Sequence, residues 1–232
     1  MTIPVMWLNR CRWDAATEHG QFWTKKYIND LLEEKGYPFI DGYKEDASRN
    51  CMIQSIEDGA GWLTGVGHGN ATKWTGQKQE VLLDAGHEDD RNRINNNGVM
   101  LTPISCSFGK SFRSWSTFRG YTDLYIFIRS SSAPDDKVAL QFADCSFTLE
   151  RELIKAGRIT KDVWEEACKR TTEKWNFYIQ SGASITRPYF RRNRDLEIFQ
   201  WMGAPEVEPS GWCKFWKGVC DFILTVAGCK SE

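Results

Sequence analysis

Three things are scarce in this sequence: long apolar runs, histidines, and an excess of charge of either sign. The 232 residues carry 30 Lys and Arg against 31 Asp and Glu, so the chain as a whole has no charge that would attract nucleic acid. No run reaches the roughly 20 apolar residues that a membrane-spanning helix needs, and the early charges are unlike a secretory signal. We therefore expect a cytoplasmic protein with no nucleic-acid partner.

The eight cysteines are scattered, without any CxxC pair. A chain of this length can bury a sizeable core and does not need disulfides to fold, so we expect most of the thiols to be reduced. Cys213, Cys220 and Cys229 could in principle hold zinc, but they lack the close chelating pairs of structural zinc sites. The sequence therefore predicts no metal site.

Apolar runs and helical periodicities alternate along the chain. Strands are predicted at residues 3–8, 39–43, 61–67, 98–106, 123–128 and 196–202. Helices are predicted at residues 17–35, 51–56, 138–156 and 160–180, with Gly36 as a helix stop and a polar, Asn-rich loop at 92–97. This order predicts an α/β fold, a mostly parallel sheet with helices on both faces.

We expect one domain over residues 1–208 and a C-terminal appendage over residues 209–232. The appendage is aromatic and amphipathic, with Lys214, Lys217 and Asp221 interrupting its apolar residues. Docking onto the domain's own surface explains this pattern. Contact with a membrane surface or a partner is the alternative.

His68 stands in a glycine-rich setting at the end of the third predicted strand. Glycines on both sides, in Gly65-Val66-Gly67-His68-Gly69, let the backbone turn sharply and let a substrate approach closely. The other histidines are His19, on a predicted helix face, and His87, in an acidic loop with Asp89 and Asp90. For that loop, solvated side chains are the simpler interpretation and a metal site is the alternative.

Cys106 ends the fourth predicted strand, so its sulfur should emerge at the same sheet edge as His68. A lone cysteine in a core strand is more often inert. A nearby imidazole changes this, because it can draw the thiol proton and generate the thiolate that attacks a carbonyl. Pro103 is awkward in this strand, which predicts that the strand ends near Thr102 or is bulged just before Cys106.

Two segments of the chain resemble the caspase, gingipain, legumain and separase group of cysteine peptidases. An apolar strand runs into His-Gly in Trp62-Leu63-Thr64-Gly65-Val66-Gly67-His68-Gly69, and another runs into Ser-Cys in Val99-Met100-Leu101-Thr102-Pro103-Ile104-Ser105-Cys106. A strand at 123–128, the serines at 130–132 and two long helices are similar to the gingipain layout. The turn at 202–205 is similar to a late Gly-Asp-Pro turn of the group, with Ala204 in place of Asp.

The resemblance implies roles for particular residues. Cys106 would be the nucleophile and His68 the proton donor to the leaving amine. The backbone N–H groups of Gly69 and Cys106 would form the oxyanion hole. Asn9 resembles the Asn that legumains place beside their histidine, although a turn residue explains it equally. No metal or organic cofactor enters such a mechanism.

The sequence leaves open whether the substrate pocket prefers Asp or Asn, or a basic residue. Arg10 and Arg12 follow the first strand, where caspases and legumains carry a basic residue that lines the primary pocket, so recognition of Asp or Asn is the favoured interpretation. The gingipain-like layout instead suggests a basic substrate residue held by Asp144 or Asp135. Ile104 stands where caspases and legumains carry Gln or Glu, so that part of an acidic-substrate pocket is missing.

The sequence thus predicts a cysteine endopeptidase that cleaves a specific protein or peptide substrate through His68 and Cys106. Two alternatives keep the same fold. One is a catalytically silent, caspase-like binding module. The other is an amide hydrolase that uses Cys106 on a small substrate.

Overall fold

The structure, a computed structural model, describes residues 2–124 and 134–203. Several predicted features lie outside the described residues: most of the strand at 123–128, the serines at 130–132, the turn residues 204 and 205, and the C-terminal appendage at 209–232.

A six-stranded, mostly parallel sheet forms the centre of the molecule, which confirms the predicted α/β class. The strands are β1 (Met6–Arg10), β2 (Phe39–Tyr43), β3 (Trp62–Val66), β4 (Lys73–Thr75), β5 (Val81–Asp84), β6 (Met100–Ile104), β7 (Phe118–Tyr121) and β8 (Glu197–Gln200). The sheet order is β2-β1-β3-β6-β7-β8, in which only β8 is antiparallel to its neighbour. Strands β4 and β5 form a separate antiparallel pair.

Helices cover both faces of this sheet. They are α1 (Ala15–Thr24), α2 (Asp30–Lys35), α3 (Arg49–Glu57), α4 (Glu88–Asn96), α5 (Gly109–Phe112), α6 (Lys137–Ser146), α7 (Thr148–Ala156), α8 (Lys161–Ser181) and α9 (Arg187–Leu196). Side chains from α1, α2 and α6 to α9 pack in one apolar cluster, and we call the side of the sheet that this cluster covers the first face. Side chains from α3, α4 and α5 pack in the other. Burial of these two clusters is the main apolar contribution to stability.

Some element boundaries differ from the sequence-based expectation. The Asn-rich segment predicted as a loop is the second half of α4, because Ile94 and Asp90 are buried and the Asp90 carboxylate pairs with Arg49. The helix predicted at 17–35 forms, but a π-helical segment at Lys25–Asn29 separates α1 from α2. It ends as predicted at Gly36, whose φ is 68°. Strand β7, helix α9 and the β4–β5 pair were not predicted.

Pro103 lies inside β6, so both expectations for this strand were wrong. The Leu101 N–H donates to the Thr117 carbonyl beside β7, and the Ile104 carbonyl accepts from Gly67 beside β3. Successive residues of a strand direct their backbone N–H and C=O groups to opposite neighbouring strands. Pro103, two residues after Leu101, therefore has its backbone nitrogen on the side of β7. The pairing of β6 with β7 extends only over Leu101 and Phe118, so the missing proline N–H interrupts no ladder bond.

A buried charge cluster ties β7 and β8 to the helices of the first face. Arg119 on β7 is fully buried, and its guanidinium bonds the carboxylates of Glu150 on α7, at 2.9 Å, and Glu197 on β8, at 2.8 Å. The indole N–H of Trp175 on α8 also donates to Glu197, at 3.1 Å. Removing one member of such a cluster leaves buried charges without a partner.

We predict that Arg119→Ala lowers the free energy of unfolding by about 3–5 kcal/mol, because two buried carboxylates then lose their cation. A suitable control is Arg170→Ala, since Arg170 pairs with Glu166 on the surface and its side chain is 53% exposed. The control should change stability by less than about 1 kcal/mol. Urea unfolding measures both, and similar small losses in the two variants would contradict the structural role of the cluster.

Candidate active site

Four ionisable side chains follow the ends of four neighbouring strands. Asp14 follows β1, His68 follows β3, Cys106 follows β6 and Asp123 follows β7, each within four residues of the strand's last residue. These strands are parallel and adjacent in the order β1-β3-β6-β7. Neighbouring strands lie about 4.8 Å apart, so their carboxyl ends bring the four residues to one sheet edge in this order.

His68 is held by a carboxylate. Its Nε2 lies 2.7 Å from Oδ2 of Asp14, and its ring centroid lies 5.4 Å from that of Trp13. Asp14 is itself fixed, because it caps the N-terminus of α1 and accepts from the Thr17 backbone N–H at 2.8 Å. The ring is therefore oriented by the start of α1, while 41% of the His68 side chain stays exposed.

The electrostatics of Asp14 favour its ionised form. Burial raises the pKa of Asp14, but hydrogen bonds from Thr17 and His68 outweigh burial and leave it below its usual value. An ionised carboxylate can only accept, so Nε2 of His68 carries the proton of this bond. In neutral His68, Nδ1 then has no proton and is the nitrogen that can act as a base.

Cys106 is partly buried against the first face, and its Sγ lies 3.4 Å from the Leu124 carbonyl oxygen. Burial and, second, the charge of Asp123 raise the pKa of the Cys106 thiol. Near neutral pH the thiol is therefore protonated in the unliganded protein.

The structure brings His68 and Cys106 to neighbouring strand ends. Val66 and Ile104 are register partners in β3 and β6, and both belong to the apolar cluster of the first face. The two side chains have different hydrogen-bond partners, however. Within residues 2–124 and 134–203, His68 bonds Asp14, Cys106 bonds Leu124, and no hydrogen bond joins them.

Gly69 fits tightly against the strand that carries Cys106. A Cβ on Gly69 would lie 2.2 Å from Oγ of Ser105 and 2.5 Å from the Lys73 carbonyl, so no larger residue fits without movement. Gly69 also bridges to Trp74, which anchors the chain after His68 to β4. In the described part of the chain, the backbone N–H groups of Gly69 and Cys106 have no hydrogen-bond acceptor.

Asn9 does not have the role that the resemblance implied. Its side chain is fully buried, where it donates to the Thr75 carbonyl at 3.0 Å and accepts from the Cys11 N–H at 3.3 Å. Asp14 is the partner of His68 instead. The sequence signal for Asp14 is its position three residues before Thr17 at a helix start, which is typical of an N-cap and gives no sign of the histidine.

The two arginines proposed to recognise the substrate point elsewhere. Arg10 is buried, pairs with Asp41 and lies 4.8 Å from the ring centroid of Tyr43, both on β2, and it also donates to Gln21 on α1 at 3.4 Å. Strands β2 and β3 flank β1 on opposite sides, so Arg10 faces away from the strand end that carries Cys106. Arg12 is exposed and pairs with Glu18 at 2.7 Å.

The acidic alternatives have other partners or make no hydrogen bond or ion pair with His68 and Cys106 in the described part of the chain. Asp144 on α6 bonds Arg151, the Lys174 ammonium at 3.1 Å and the Tyr178 hydroxyl at 3.0 Å. Asp135 is exposed in the turn before α6. Neither makes a contact with His68 or Cys106 within the described residues, whereas Asp123, which the sequence analysis missed, lies beside Cys106.

No family model, no curated protein and no solved structure matches this chain. Among the described residues, no cluster of three or more His, Cys, Asp or Glu side chains could hold a metal ion. In the same part of the chain, no helix combines the length and the apolar character needed to cross a membrane.

The Asp14 carboxylate gives a prediction for acid stability. Because its folded-state pKa is lowered, the ionised group stabilises the fold above the unfolded value of about 3.9, and this contribution is lost as the pH falls through the folded value. Asp14→Asn removes the titration but keeps a residue that can cap α1. We expect the wild type to be more stable than this variant near neutral pH and the difference to shrink towards pH ~3.

Urea unfolding across this pH range measures the difference directly. Asp89→Asn is the matched control, because Asp89 is an exposed carboxylate in the first turn of α4 on the other face. A difference for Asp14→Asn that does not change with pH would mean that the carboxylate charge has no part in holding His68.

Proposed function

We propose that this chain is a cysteine peptidase, with Cys106 as the nucleophile, His68 as the general acid and base, and Asp14 as the residue that orients His68. The observation that carries the proposal is the bond from Nε2 of His68 to the Asp14 carboxylate, at the strand end next to the one that carries Cys106. A cysteine and a carboxylate-held imidazole on adjacent strand ends are the groups that acyl transfer requires.

The chemistry can be written with these groups alone. As Sγ of Cys106 attacks the peptide carbonyl, its proton passes to Nδ1 of His68 and a C–S bond forms. His68 then gives this proton to the leaving amine as the C–N bond breaks. Water attacks the thioester carbon and loses a proton to His68. The C–S bond then breaks, the acid leaves, and the proton on His68 returns to sulfur. The backbone N–H groups of Gly69 and Cys106 would donate to the transient oxyanion.

The raised pKa of Cys106 selects one form of this mechanism. Burial and the Asp123 charge raise the pKa of the Cys106 thiol, which favours loss of its proton during the attack rather than beforehand. This makes the basicity of His68, and hence the Asp14 carboxylate beside Nε2, part of the chemical step.

An open sheet edge favours a peptide over a small amide. The side chain of His68 is 41% exposed and that of Asp123 is 54% exposed, whereas sites for small molecules bury most of the ligand surface. The sheet is also consistent with the α/β arrangement that the sequence resemblance implies. An extended substrate protein is the class that we propose.

A second candidate is a silent peptide-binding module of the same fold. The contact of the Cys106 thiol with the Leu124 carbonyl, rather than with His68, favours it. Such a module would bind peptides equally well with and without the Cys106 sulfur, and it would release no product.

We predict that Cys106→Ala and His68→Ala each reduce cleavage of a fluorogenic peptide library to background, because each removes a reacting group.

Asp14→Asn should lower kcat by about 10²-fold or more with little change in KM, because it disturbs the base rather than substrate binding. Steady-state kinetics on the peptide that is cleaved best provides both constants.

Cys51→Ala and His87→Ala are the matched controls for these variants. Cys51 is a partly exposed free thiol on α3, and His87 is exposed at the start of α4. Both should retain full activity. A wild-type protein that binds library peptides yet cleaves none of them would favour the silent module instead.

A further inference from the structure

Asp123 lies beside Cys106 on the side away from His68. It follows β7, and its neighbour Leu124 provides the carbonyl that contacts Sγ of Cys106 at 3.4 Å. The charge of Asp123 is also the one that acts on the Cys106 thiol, second to burial. The nucleophile is therefore flanked by an imidazole on one strand end and by a carboxylate on the other.

The order of these groups determines which part of a substrate meets Asp123. In the mechanism proposed above, His68 protonates the leaving amine, so the amine side of the cleaved bond must lie towards β3. A peptide that crosses the strand ends then has its acyl side towards β7. The side chain of the residue whose carbonyl is attacked is the one closest to Asp123.

The carboxylate of Asp123 has capacity to bind a second cation. Its side chain is 54% exposed, and Oδ2 accepts from Arg192 on α9. Within the described residues Oδ1 has no partner, and a carboxylate oxygen accepts strong hydrogen bonds from a guanidinium or ammonium group. The bond from Arg192 to Oδ2 therefore leaves Oδ1 able to accept from a substrate, and it fixes the carboxylate at the sheet edge.

We propose that Asp123 selects substrates with Arg or Lys as the residue on the acyl side of the cleaved bond. This rests on the proposed peptidase function. A bound substrate cation would also offset the charge that opposes thiolate formation at Cys106, so the same contact would favour the chemical step. Arg10 ends β1 but pairs with Asp41 on β2, and Asp144 on α6 already bonds Arg151, Lys174 and Tyr178.

The test uses peptidyl chloromethyl ketones that differ only in their last residue, Arg, Lys, Leu or Asp, with peptide mass mapping of the alkylated cysteine. We expect the Arg and Lys reagents to alkylate Cys106 about tenfold or more faster than the Leu reagent. Asp123→Asn should bring all rates close to that of Leu, and Asp123→Glu should retain the preference.

Asp89→Asn, an equally charge-neutralising change on the other face, should leave the preference unchanged. Alkylation of Cys106 at equal rates by all reagents would overturn the role of Asp123 but leave the proposed function intact. Faster reaction with the Asp reagent, lost in Arg192→Ala, would overturn it in favour of Arg192. If no reagent alkylates Cys106 in the folded protein, the proposed function fails, and the inference fails with it.

Discussion

The parallel pairing of β1, β3 and β6 fixes the positions on which the whole candidate site depends. Trp62 is paired with Met6 and Met100, and from there each residue of β3 as far as Gly65 has a defined neighbour on both sides. Gly65 makes the pairing with β1 possible, because its φ is 115° and a Cβ there would lie 2.3 Å from the Asn9 carbonyl oxygen. Side chains alternate between the two faces along a strand, so a shift of one residue in the strand pairing would turn His68 or Cys106 to the opposite face.

Helix α1 connects this framework to the chemistry. The Asp14 carboxylate accepts from the Thr17 backbone N–H at the start of α1 and at the same time orients His68, so one carboxylate serves the fold and the site. The positive end of the helix dipole favours the ionised form of Asp14. Gly20 of the same helix packs against Val66, where a Cβ would lie 2.5 Å from the valine side chain, so α1 is held directly against β3. The orientation of His68 is thus coupled to the packing of α1.

The sequence could predict the parts of this arrangement that depend on local pattern. Apolar runs located β2 and the ends of β3 and β6, which is why His68 and Cys106 could be expected at one edge. Contacts between distant segments could not be predicted in this way. The partner of His68 is Asp14 rather than Asn9, because the chain turns after β1 to start α1, and a pattern typical of a helix cap carries no information about a residue 54 positions away.

The same limit applies to the residues proposed for the substrate pocket. Extended spacing placed Arg10 at the correct sheet edge, but the order of strands decides which way it faces, and β2 lies on the side away from Cys106. The buried cluster of Arg119 shows a related difficulty, since a charged residue in the middle of β7 hides this strand from a search for apolar runs, whereas β8 was predicted although it begins with Glu197.

Disulfide trapping can test whether the strand register brings His68 and Cys106 together. A disulfide forms only when two Cα atoms lie within roughly 7 Å with suitable Cβ directions. In His68→Cys under mild oxidation, we predict that mass mapping finds the introduced thiol linked to Cys106. Cys11 is the competing thiol, because its Sγ lies 3.6 Å from the Val66 carbonyl. A link to Cys11, or no link in a folded variant, would mean that the register does not place His68 beside Cys106.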